Sequence, residues 1–300
     1  MSDAAAADPP DHYLTPEGLL VFTQAYHLRR GDCCASGCRH CPFGYAAVEQ
    51  PRRTRLLDAR PAPRRIVSLV PSLTELLCDL GLRERVVGCT KFCVHPPDLR
   101  RERARVVGGT KAVHVDRVRE LAPDLILANR EENVREEVLA LSALAETWVT
   151  DVPDLAAAER LVLDLGTRLD REEEARRIAA ANAATLDRLA RPGRGSAVYL
   201  IWREPYMAAG GGTYVASVLE RLGYRNALAD ERRYPTLTPE RLRALAPEHV
   251  LLASEPYPFA ERHVAELLAI LPEALVELVD GGLFSWYGSR LARIGSATGV

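Results

Sequence analysis

The chain has 300 residues, of which 47% are apolar, so it is long enough to form one large or two modest packed domains. Its formal net charge of −2 and pI of about 6.4 argue against a basic surface for nucleic acid or acidic membranes. No apolar run is long enough to span a bilayer, and the N-terminus lacks the basic and apolar segments of a leader peptide, so we expect a cytoplasmic protein without membrane insertion.

A cysteine-rich segment comes first. The stretch GDCCASGCRHCPF (residues 31–43) contains four cysteines and a histidine, which in a cytoplasmic chain favour metal ligands over disulfides. Cys33, Cys38 and Cys41 have the spacing of the first three ligands of a plant-type ferredoxin cluster. Starting from Cys34 instead gives the spacing of radical S-adenosylmethionine enzymes. All four cysteines, or three of them with His40, would also complete a tetrahedral zinc site.

A metal would stabilise this segment, because about 50 residues have too little apolar core to fold securely alone. We predict zinc, with an iron–sulfur cluster as the second choice, at Cys33, Cys34, Cys38, His40 and Cys41. Residues 13–45 resemble a short domain of unknown function with the pattern Cys-Cys-x3-Cys-Arg-His-Cys-Pro. That resemblance implies no assigned chemistry.

The main body begins after a stretch rich in proline and arginine at residues 51–64, which is typical of a linker. Residues 66–71 (IVSLVP) predict a buried strand. Ser72 is predicted to cap the next helix, with Glu75 at the capping-box position and Gly81 at its end; the alternative for Ser72 is an anionic ligand group at the helix N-terminus. Further strands are predicted at residues 86–90, 125–129 and 147–152. This alternation predicts a parallel or mostly parallel sheet.

The second half repeats the first after two helical segments. RVRELAPDLILA (residues 117–128) returns as RLRALAPEHVLLA (residues 241–253), 124 residues later. The duplication predicts two similar lobes. Between the copies, residues 171–190 contain no glycine or proline and predict a stiff connecting helix. A cleft between two such lobes is a usual place for a small ligand.

Residues 65–290 resemble the helical-backbone (class III) solute-binding proteins that serve ABC importers for vitamin B12, haem and iron–siderophores. The motifs that carry the resemblance are PRRIVSLVPSLTELLCDLG, VVGCTKFCVHP, VGGTK, LAPDLILANREEN and FSWYGSR. The resemblance implies an α/β fold of two Rossmann-like lobes joined by a single long helix, with a metal chelate, corrinoid or haem-like ligand in the interlobe cleft. The resemblance is greatest to relatives that lack a leader peptide or lipid anchor. It therefore gives no reason to expect an ABC importer as a partner.

The predicted domains follow from these boundaries. They are a cysteine-rich head at 1–50, a linker at 51–64, an N-terminal lobe at 65–170, a connecting helix at 171–192 and a C-terminal lobe at 193–300.

Candidate ligand-binding residues follow predicted strand ends, where open α/β sheets bind their ligands. In the first half they are Ser72, Cys93, His95, Glu131, Glu132 and Asn133, and in the second half Trp202, Tyr206, Thr213, Tyr214, Phe284, Trp286, Tyr287 and Arg290. Flat aromatic side chains suit a large planar or macrocyclic ligand. Cys93 and His95 can supply two metal ligands, which do not complete a site. Glu131 and Glu255 lie at equivalent offsets, which fits either ligand contacts or exposed rim charges.

These features favour a receptor or carrier that holds a small-molecule or metal-chelate ligand. No serine–histidine–acid arrangement, phosphate loop or dinucleotide fingerprint is found, so catalysis is the weaker hypothesis. The alternative is a metallochaperone or redox iron–sulfur enzyme that uses the cysteine cluster. A third hypothesis, a purely structural or interaction role, applies if side chains fill the cleft.

Overall fold

The computed structural model describes residues 12–14, 20–30, 61–97, 99 and 105–293. The predicted metal ligands Cys33, Cys34, Cys38, His40 and Cys41 lie outside the described residues. Metal binding by the head therefore stays a prediction.

The secondary structure alternates between strands and helices along the described chain. The strands are β1 (His12–Leu14), β2 (Leu20–Phe22), β3 (Ile66–Ser68), β4 (Val86–Cys89), β5 (Gly108–Gly109), β6 (Ala112–Val113), β7 (Leu125–Asn129), β8 (Glu146–Thr150), β9 (Gly195–Trp202), β10 (Tyr206–Ala208), β11 (Tyr224–Asn226), β12 (Thr236–Leu237), β13 (His249–Ala253) and β14 (Leu275–Val279). The α-helices are α1 (Gln24–Arg30), α2 (Pro71–Asp79), α3 (Val115–Glu120), α4 (Arg135–Ser142), α5 (Leu155–Arg168), α6 (Glu172–Leu189), α7 (Tyr214–Leu222), α8 (Pro239–Leu245), α9 (Glu261–Ile270) and α10 (Gly281–Ser285). Short 3-10 helices lie at Arg83–Arg85 and Arg290–Arg293.

The chain divides into two compact units that are not contiguous in sequence. The first unit comprises the described residues within Met1–Val70, Glu84–Phe92 and Arg101–Asp151. The second comprises those within Pro71–Arg83, Cys93–Arg100 and Val152–Val300. The domain boundaries drawn from the sequence treat each lobe as one continuous segment, and they stay predictions.

The first unit contains a parallel sheet of four strands in the order β4-β3-β7-β8. Its central strands β3 and β7 are buried along their whole length, as expected for a parallel sheet that is covered on both faces. Apolar side chains from α3 and α4 pack against this sheet around Val67 and Ile126. A small antiparallel pair, β5 and β6, follows β4 in the same unit.

The second unit contains a six-stranded mixed sheet. The strands β12-β10-β9-β13-β14 follow one another across it, and β11 also pairs with β9. Strands β9, β13 and β14 run parallel, whereas β10 pairs antiparallel with β9 and β12 pairs antiparallel with β10. Buried side chains including Val198, Leu200 and Leu252 form its core. Because β9, β13 and β14 are parallel neighbours, their carboxyl ends lie along one edge of the sheet.

The α/β fold class predicted from the sequence is confirmed, because both units have a parallel core sheet flanked by helices. The predicted long helix corresponds to α6, which is preceded by α5. The internal duplication is also visible in the backbone. Ala122 and Ala246, which are 124 residues apart, each end a helix with a positive φ of 41° and 42° and precede β7 and β13. The two copies therefore share a helix–turn–strand unit.

The start of α2 differs from the prediction. The helix begins at Pro71, so Ser72 is its second residue rather than its N-cap, and Glu75 does not form a capping box. The physical reason is that proline fixes a helical φ and needs no hydrogen-bond partner for its nitrogen, which suits the first helical position. The predicted end is confirmed. Gly81 has φ of +75°, and Leu82 N donates to Leu77 O at 2.9 Å.

A buried ion pair joins α2 to the 3-10 helix Arg290–Arg293 within the second unit. Nε and Nη2 of Arg290 donate to the two carboxylate oxygens of Glu75 at 2.8 and 2.9 Å. The Glu75 side chain is only 3% exposed, and it also accepts from Arg293. Arg293 in turn bridges to Asp79 at 3.0 Å. Two guanidinium groups therefore compensate the buried Glu75 carboxylate.

His263 closes the N-terminus of α9. Its Nδ1 accepts a hydrogen bond from Ala260 N at 2.9 Å, and its Nε2 lies 3.3 Å from the Tyr257 hydroxyl and 3.2 Å from Arg262 Nε. Burial, followed by the positive charges of Arg262 and Arg203, lowers the pKa of His263, and Glu266 opposes this shift. Protonation would remove the acceptor that caps the helix.

We expect the Glu75→Ala substitution to destabilise the protein by about 3–5 kcal/mol, because it leaves the buried Arg290 without its carboxylate partner. Urea unfolding at pH 7.5 measures the loss. The matched control is Asp187→Ala, which removes an exposed ion pair with Arg221 and should cost less than about 1 kcal/mol. Equal losses in the two variants would contradict the assigned role of the buried pair.

We also expect His263 to make folding stability depend on pH. Its folded pKa lies below the ordinary value of 6.5, so the unfolded state takes up the proton first as the pH falls. This contribution is complete above about pH 6.5 and is lost as the pH falls through the folded pKa. The His263→Asn variant keeps an acceptor near the Nδ1 position without titrating there. Its unfolding free energy should fall less than that of the unmodified protein between pH 7 and 5, and identical slopes would refute the assignment.

Candidate ligand-binding site

Polar and aromatic side chains gather at the carboxyl edge of the second unit's sheet. Trp202 ends β9, Glu255 lies two residues after β13, and Asp280 follows β14 directly. The three strands are parallel neighbours, so these residues lie along one sheet edge. This is the edge at which open α/β sheets bind their ligands.

Trp286 is the centre of this group. Its indole N–H interacts with the Glu255 carboxyl group and lowers the pKa of that group. The Arg290 guanidinium carbon lies 4.6 Å from the centroid of the Trp286 ring, which is cation–π geometry. The His95 ring meets the same indole edge-to-face, with centroids 5.6 Å apart. Two ring contacts therefore fix the orientation of Trp286.

A close backbone approach makes this arrangement possible. A Cβ atom on Gly281 would lie 2.9 Å from both Cγ and the carbonyl oxygen of Glu255, which no other residue could tolerate without displacement. The Gly281 N–H also donates to Ser254 Oγ at 3.0 Å. The start of α10 is thereby held against the end of β13. Asp280 caps the same helix by accepting from Gly282 N at 3.0 Å.

The pKa values of the titratable groups of the site are shifted in opposite directions. Burial raises the pKa of Glu255, and the nearby Asp280 raises it further, while the hydrogen bond from Trp286 and the charge of Arg290 oppose the rise. Burial and then Arg290 lower the pKa of His95, and Glu75 and Asp280 act against this. At neutral pH the site therefore presents a neutral imidazole together with the half-buried Glu255 and the exposed Asp280.

Trp202 provides an open aromatic surface at the same sheet edge. Its side chain is 41% exposed, and its ring packs edge-to-face on Tyr257 with centroids 5.6 Å apart. Tyr257 packs in turn on Phe259 and His263. An exposed tryptophan supported by further rings is suited to contact a flat apolar ligand.

Ser72 and Cys93 lie in the same unit as Trp286 but are buried. Ser72 Oγ has no hydrogen-bond partner within the part of the chain that the structure describes. Cys93 Sγ lies 3.1 Å from Thr74 Oγ1, so the thiol takes part in a hydrogen bond to α2. A Cβ on Gly288 would lie 3.7 Å from the Ser72 carbonyl oxygen, which places the Trp286 loop close to the start of α2.

The structure gives the other predicted residues of the second unit local roles. The Tyr206 hydroxyl donates to Glu266, which also binds Arg203 at 3.0 Å. Thr213 caps α7 by accepting from Ala216 N at 3.2 Å. The ring of Tyr287 packs on that of Tyr214, and Phe284 packs on the buried Tyr199. These contacts do not bring the side chains to Trp286, and their ligand roles stay predictions.

The predicted residues of the first unit follow β7. The Asn133 side chain accepts from Asn129 N at 2.8 Å and donates to the carbonyl oxygens of Leu69 and Thr110 at 3.2 and 3.0 Å. Its amide is thus occupied in fixing the loop. Glu131 is exposed and Glu132 is half-buried. The sequence-based expectation that residues of both units contact one ligand stays a prediction.

Sequence reasoning missed part of this site. Glu255 was noted only for its offset from Glu131, yet it is half-buried and its pKa is shifted by Trp286, whereas Glu131 is exposed. Asp280 carried a usable signal, since it stands between the largely apolar run LVELV and Gly281 and is a suitable N-cap. Glu75 carried none, because its partner Arg290 is 215 residues away.

Two kinds of site are not found in the described ranges. Among those residues, no group of three or more histidine, cysteine, aspartate or glutamate side chains is arranged to hold a metal ion. His95 and Cys93 thus lack a third ligand from the described chain. None of the helices within these ranges is both long and apolar enough to cross a bilayer.

Comparisons with known proteins agree with this architecture. The family described as periplasmic binding protein matches residues 66–266, and a family of unknown function matches residues 2–47. A vitamin B12-binding protein of Pectobacterium carotovorum is 23% identical over 202 residues, which cover 65% of this chain and 72% of that protein.

Solved structures share the fold. The periplasmic vitamin B12 binding protein of Vibrio cholerae gives a TM-score of 0.66 at 19% identity, covering 77% of this chain and 93% of that one. A periplasmic heme binding protein from Pseudomonas aeruginosa gives 0.60 at 26% identity, covering 77% and 89%. The predicted resemblance to helical-backbone solute-binding proteins is therefore confirmed, as is the separate family at the head. Because the family match covers more than half of the sequence, the chain belongs to the periplasmic binding protein family.

Proposed function

We propose that the protein is a receptor or carrier that holds a corrinoid at the carboxyl edge of the second unit's sheet. The observation that carries this proposal is Trp286, an indole packed against Arg290 and His95 at the sheet edge where open α/β sheets bind their ligands. A macrocycle offers a wide flat surface to Trp286 and to the exposed Trp202. The neutral ring of His95 provides a nitrogen for edge contacts or for a chelated metal.

The charges of the site favour a corrinoid over haem. Corrinoids carry neutral amide side chains, whereas haem carries carboxylates. Glu255 and Asp280 are hydrogen-bond acceptors that suit amide donors and disfavour a ligand carboxylate. The positive charge of Arg290 is already compensated, because its Nε and Nη2 both donate to Glu75. A haem carboxylate would thus meet acid groups without a free cationic partner in the Trp286 group.

The similar proteins support a macrocyclic metal chelate as the ligand class, but they do not favour a corrinoid over haem. Those reported above include one named for binding vitamin B12 and one named for binding heme. Macrocyclic metal chelates are therefore the class to test, and the acidic residues of this chain are the reason for ranking corrinoids first. The alternative of a metallochaperone or redox enzyme rests on the cysteine cluster and is tested separately below.

We expect cobinamide or cobalamin to bind with a Kd below about 100 μM, which corresponds to roughly −5.5 kcal/mol. Titrations followed by tryptophan fluorescence and calorimetry measure this affinity, with haemin as the comparison. Trp286→Ala should weaken corrinoid binding about tenfold, because it removes an ordered aromatic contact. Glu255→Gln should strengthen haemin binding by removing a repulsive charge.

Trp148→Phe is the matched control, because Trp148 lies on β8 of the first unit and donates to Glu146 at 3.0 Å. It should leave corrinoid affinity unchanged. Absence of corrinoid binding by the unmodified protein at about 100 μM would sink the proposed ligand class. Haemin that binds more tightly than either corrinoid would overturn the charge argument while leaving the aromatic site intact.

We further propose that the cysteine-rich head holds one metal ion, with zinc preferred over an iron–sulfur cluster. The support is chemical: Cys33, Cys34, Cys38, His40 and Cys41 provide enough thiolate and imidazole ligands for a closed tetrahedral site. Such a site would contribute folding free energy to a small segment.

We expect protein purified without chelator to contain about one zinc per chain. The Cys38→Ser/Cys41→Ser variant should lose it, as measured by elemental analysis together with absorption spectra of anaerobically purified protein. The control is Cys78→Ser, which changes a cysteine of α2 in the second unit. Full metal content in the double variant would refute the site, and a cysteine-dependent iron–sulfur absorption band would replace zinc and favour the redox alternative.

A further inference from the structure

The chain contains only two lysines among its 39 basic residues, and both occupy the same position of a short repeat. Lys91 ends the sequence VVGCTK (residues 86–91), and Lys111 ends VVGGTK (residues 106–111). Arginine serves at every other basic position. The composition gives no reason for the two lysines to coincide in this way.

The fold brings the two copies of the repeat side by side in the first unit. Cys89 and Val106 form a parallel bridge, and Lys91 N donates to Gly108 O at 2.8 Å. Lys111 lies in the two-residue turn between β5 and β6, where Gly109 pairs with Ala112. The hairpin thus places Lys111 next to the segment that carries Lys91.

The surroundings of the hairpin hold the lysines in place. Asn133 Nδ2 donates to Thr110 O at 3.0 Å, which ties the turn to the loop after β7. A Cβ atom on Gly109 would lie 3.3 Å from Phe92 Cε2 and 3.5 Å from Lys91 Cε. Both side chains therefore lie against the hairpin backbone, within two residues of Lys111. Lys91 Nζ lies 5.1 Å from the centroid of the Phe92 ring.

Neither ammonium group has a carboxylate partner within the described chain. Lys111 Nζ donates to the backbone carbonyl of Glu131 at 2.5 Å. Because a carbonyl oxygen has no formal charge, this contact does not neutralise the ammonium group. The neighbouring Arg130 differs, since it pairs with Asp151 at 2.9 Å. The Glu131 carboxylate is the exposed acidic group nearest in sequence to this contact. Both lysines therefore keep a positive charge that no carboxylate of the described chain neutralises, and both lie close to the hairpin.

Phe92 adds an apolar surface to the lysine pair. Its ring is 49% exposed, although most large apolar side chains of this unit are buried. A lysine ammonium is a compact point charge with three donors, and it binds oxyanions without the planar geometry that arginine requires. An exposed ring beside two such groups suits a molecule that carries both an oxyanion and an apolar part.

We propose that Lys91, Lys111 and Phe92 form an oxyanion-binding site in the first unit, for a phosphate ester or carboxylate on a partly apolar molecule. The site is distinct from the Trp286 group and does not rest on the corrinoid proposal. It contains no phosphate loop, and the charge of the two lysines supplies the attraction.

The small number of lysines makes the test direct. Protein grown with lysine labelled with ¹³C at Cε should give one signal for each of the two residues, which Lys91→Gln and Lys111→Gln assign. We expect inorganic phosphate and phenyl phosphate to shift both signals along a saturable curve with one shared Kd. Phenyl phosphate should bind more tightly because of Phe92. Acetate and benzoate form the second arm and show whether the site prefers phosphate or carboxylate.

Each single glutamine variant should weaken binding about threefold at the remaining lysine signal, and the double variant, which has no lysine left to label, should give no saturable heat of phenyl phosphate binding in calorimetry. Arg119→Gln is the matched control, since Arg119 is an exposed residue of the first unit paired with Asp116, and it should change nothing. Sodium chloride at equal ionic strength corrects for screening. Shifts no larger than those caused by chloride, or a response of only one lysine, would overturn the proposal whatever the corrinoid titrations show.

Discussion

The buried ion pair between Glu75 and Arg290 is the constraint on which much of the second unit depends. A carboxylate that is only 3% exposed loses its hydration and requires charged partners, and the two guanidinium groups of the 3-10 helix supply them. The pair fixes α2 against residues 215 positions later in the chain. It also sets the position of Arg290 under the Trp286 ring, so the geometry of the candidate site follows from a charge-compensation requirement outside it.

The same interaction shapes the electrostatics of the sheet edge. Arg290 contacts both the Trp286 ring and the buried carboxylate of Glu75. Its charge therefore holds these side chains in place more than it attracts anionic ligands. Glu255 then defines the polar character of the site, because it is half-buried and its pKa is raised. The lysine pair of the first unit differs, because no carboxylate of the described chain neutralises its two ammonium groups. The two units thus present surfaces of different chemical preference.

Local sequence signals predicted most of the fold. Strand and helix alternation, Gly81 at the end of α2 and the duplicated helix–turn–strand unit are all encoded within a few residues, and the structure confirms them. The candidate site was only partly predictable. Trp202 and Trp286 follow from strand ends, but the burial of Glu255 depends on the glycines of α10 packing against it. The helix starts at Pro71, two residues before the start expected with Ser72 as N-cap, and this removed the expected cap role of Ser72.

The discontinuous composition of the second unit has a consequence for its biosynthesis. Leu73, Leu76 and Leu77 of α2 are fully buried, and Leu76 packs next to Gly288 near the far end of the described chain. At about 5–20 residues per second, a ribosome needs roughly 10–40 s to make the intervening segment. During that interval the apolar face of the nascent helix has no partner from residues 288 onward. We therefore expect residues 71–83 to need chaperone shielding while translation continues.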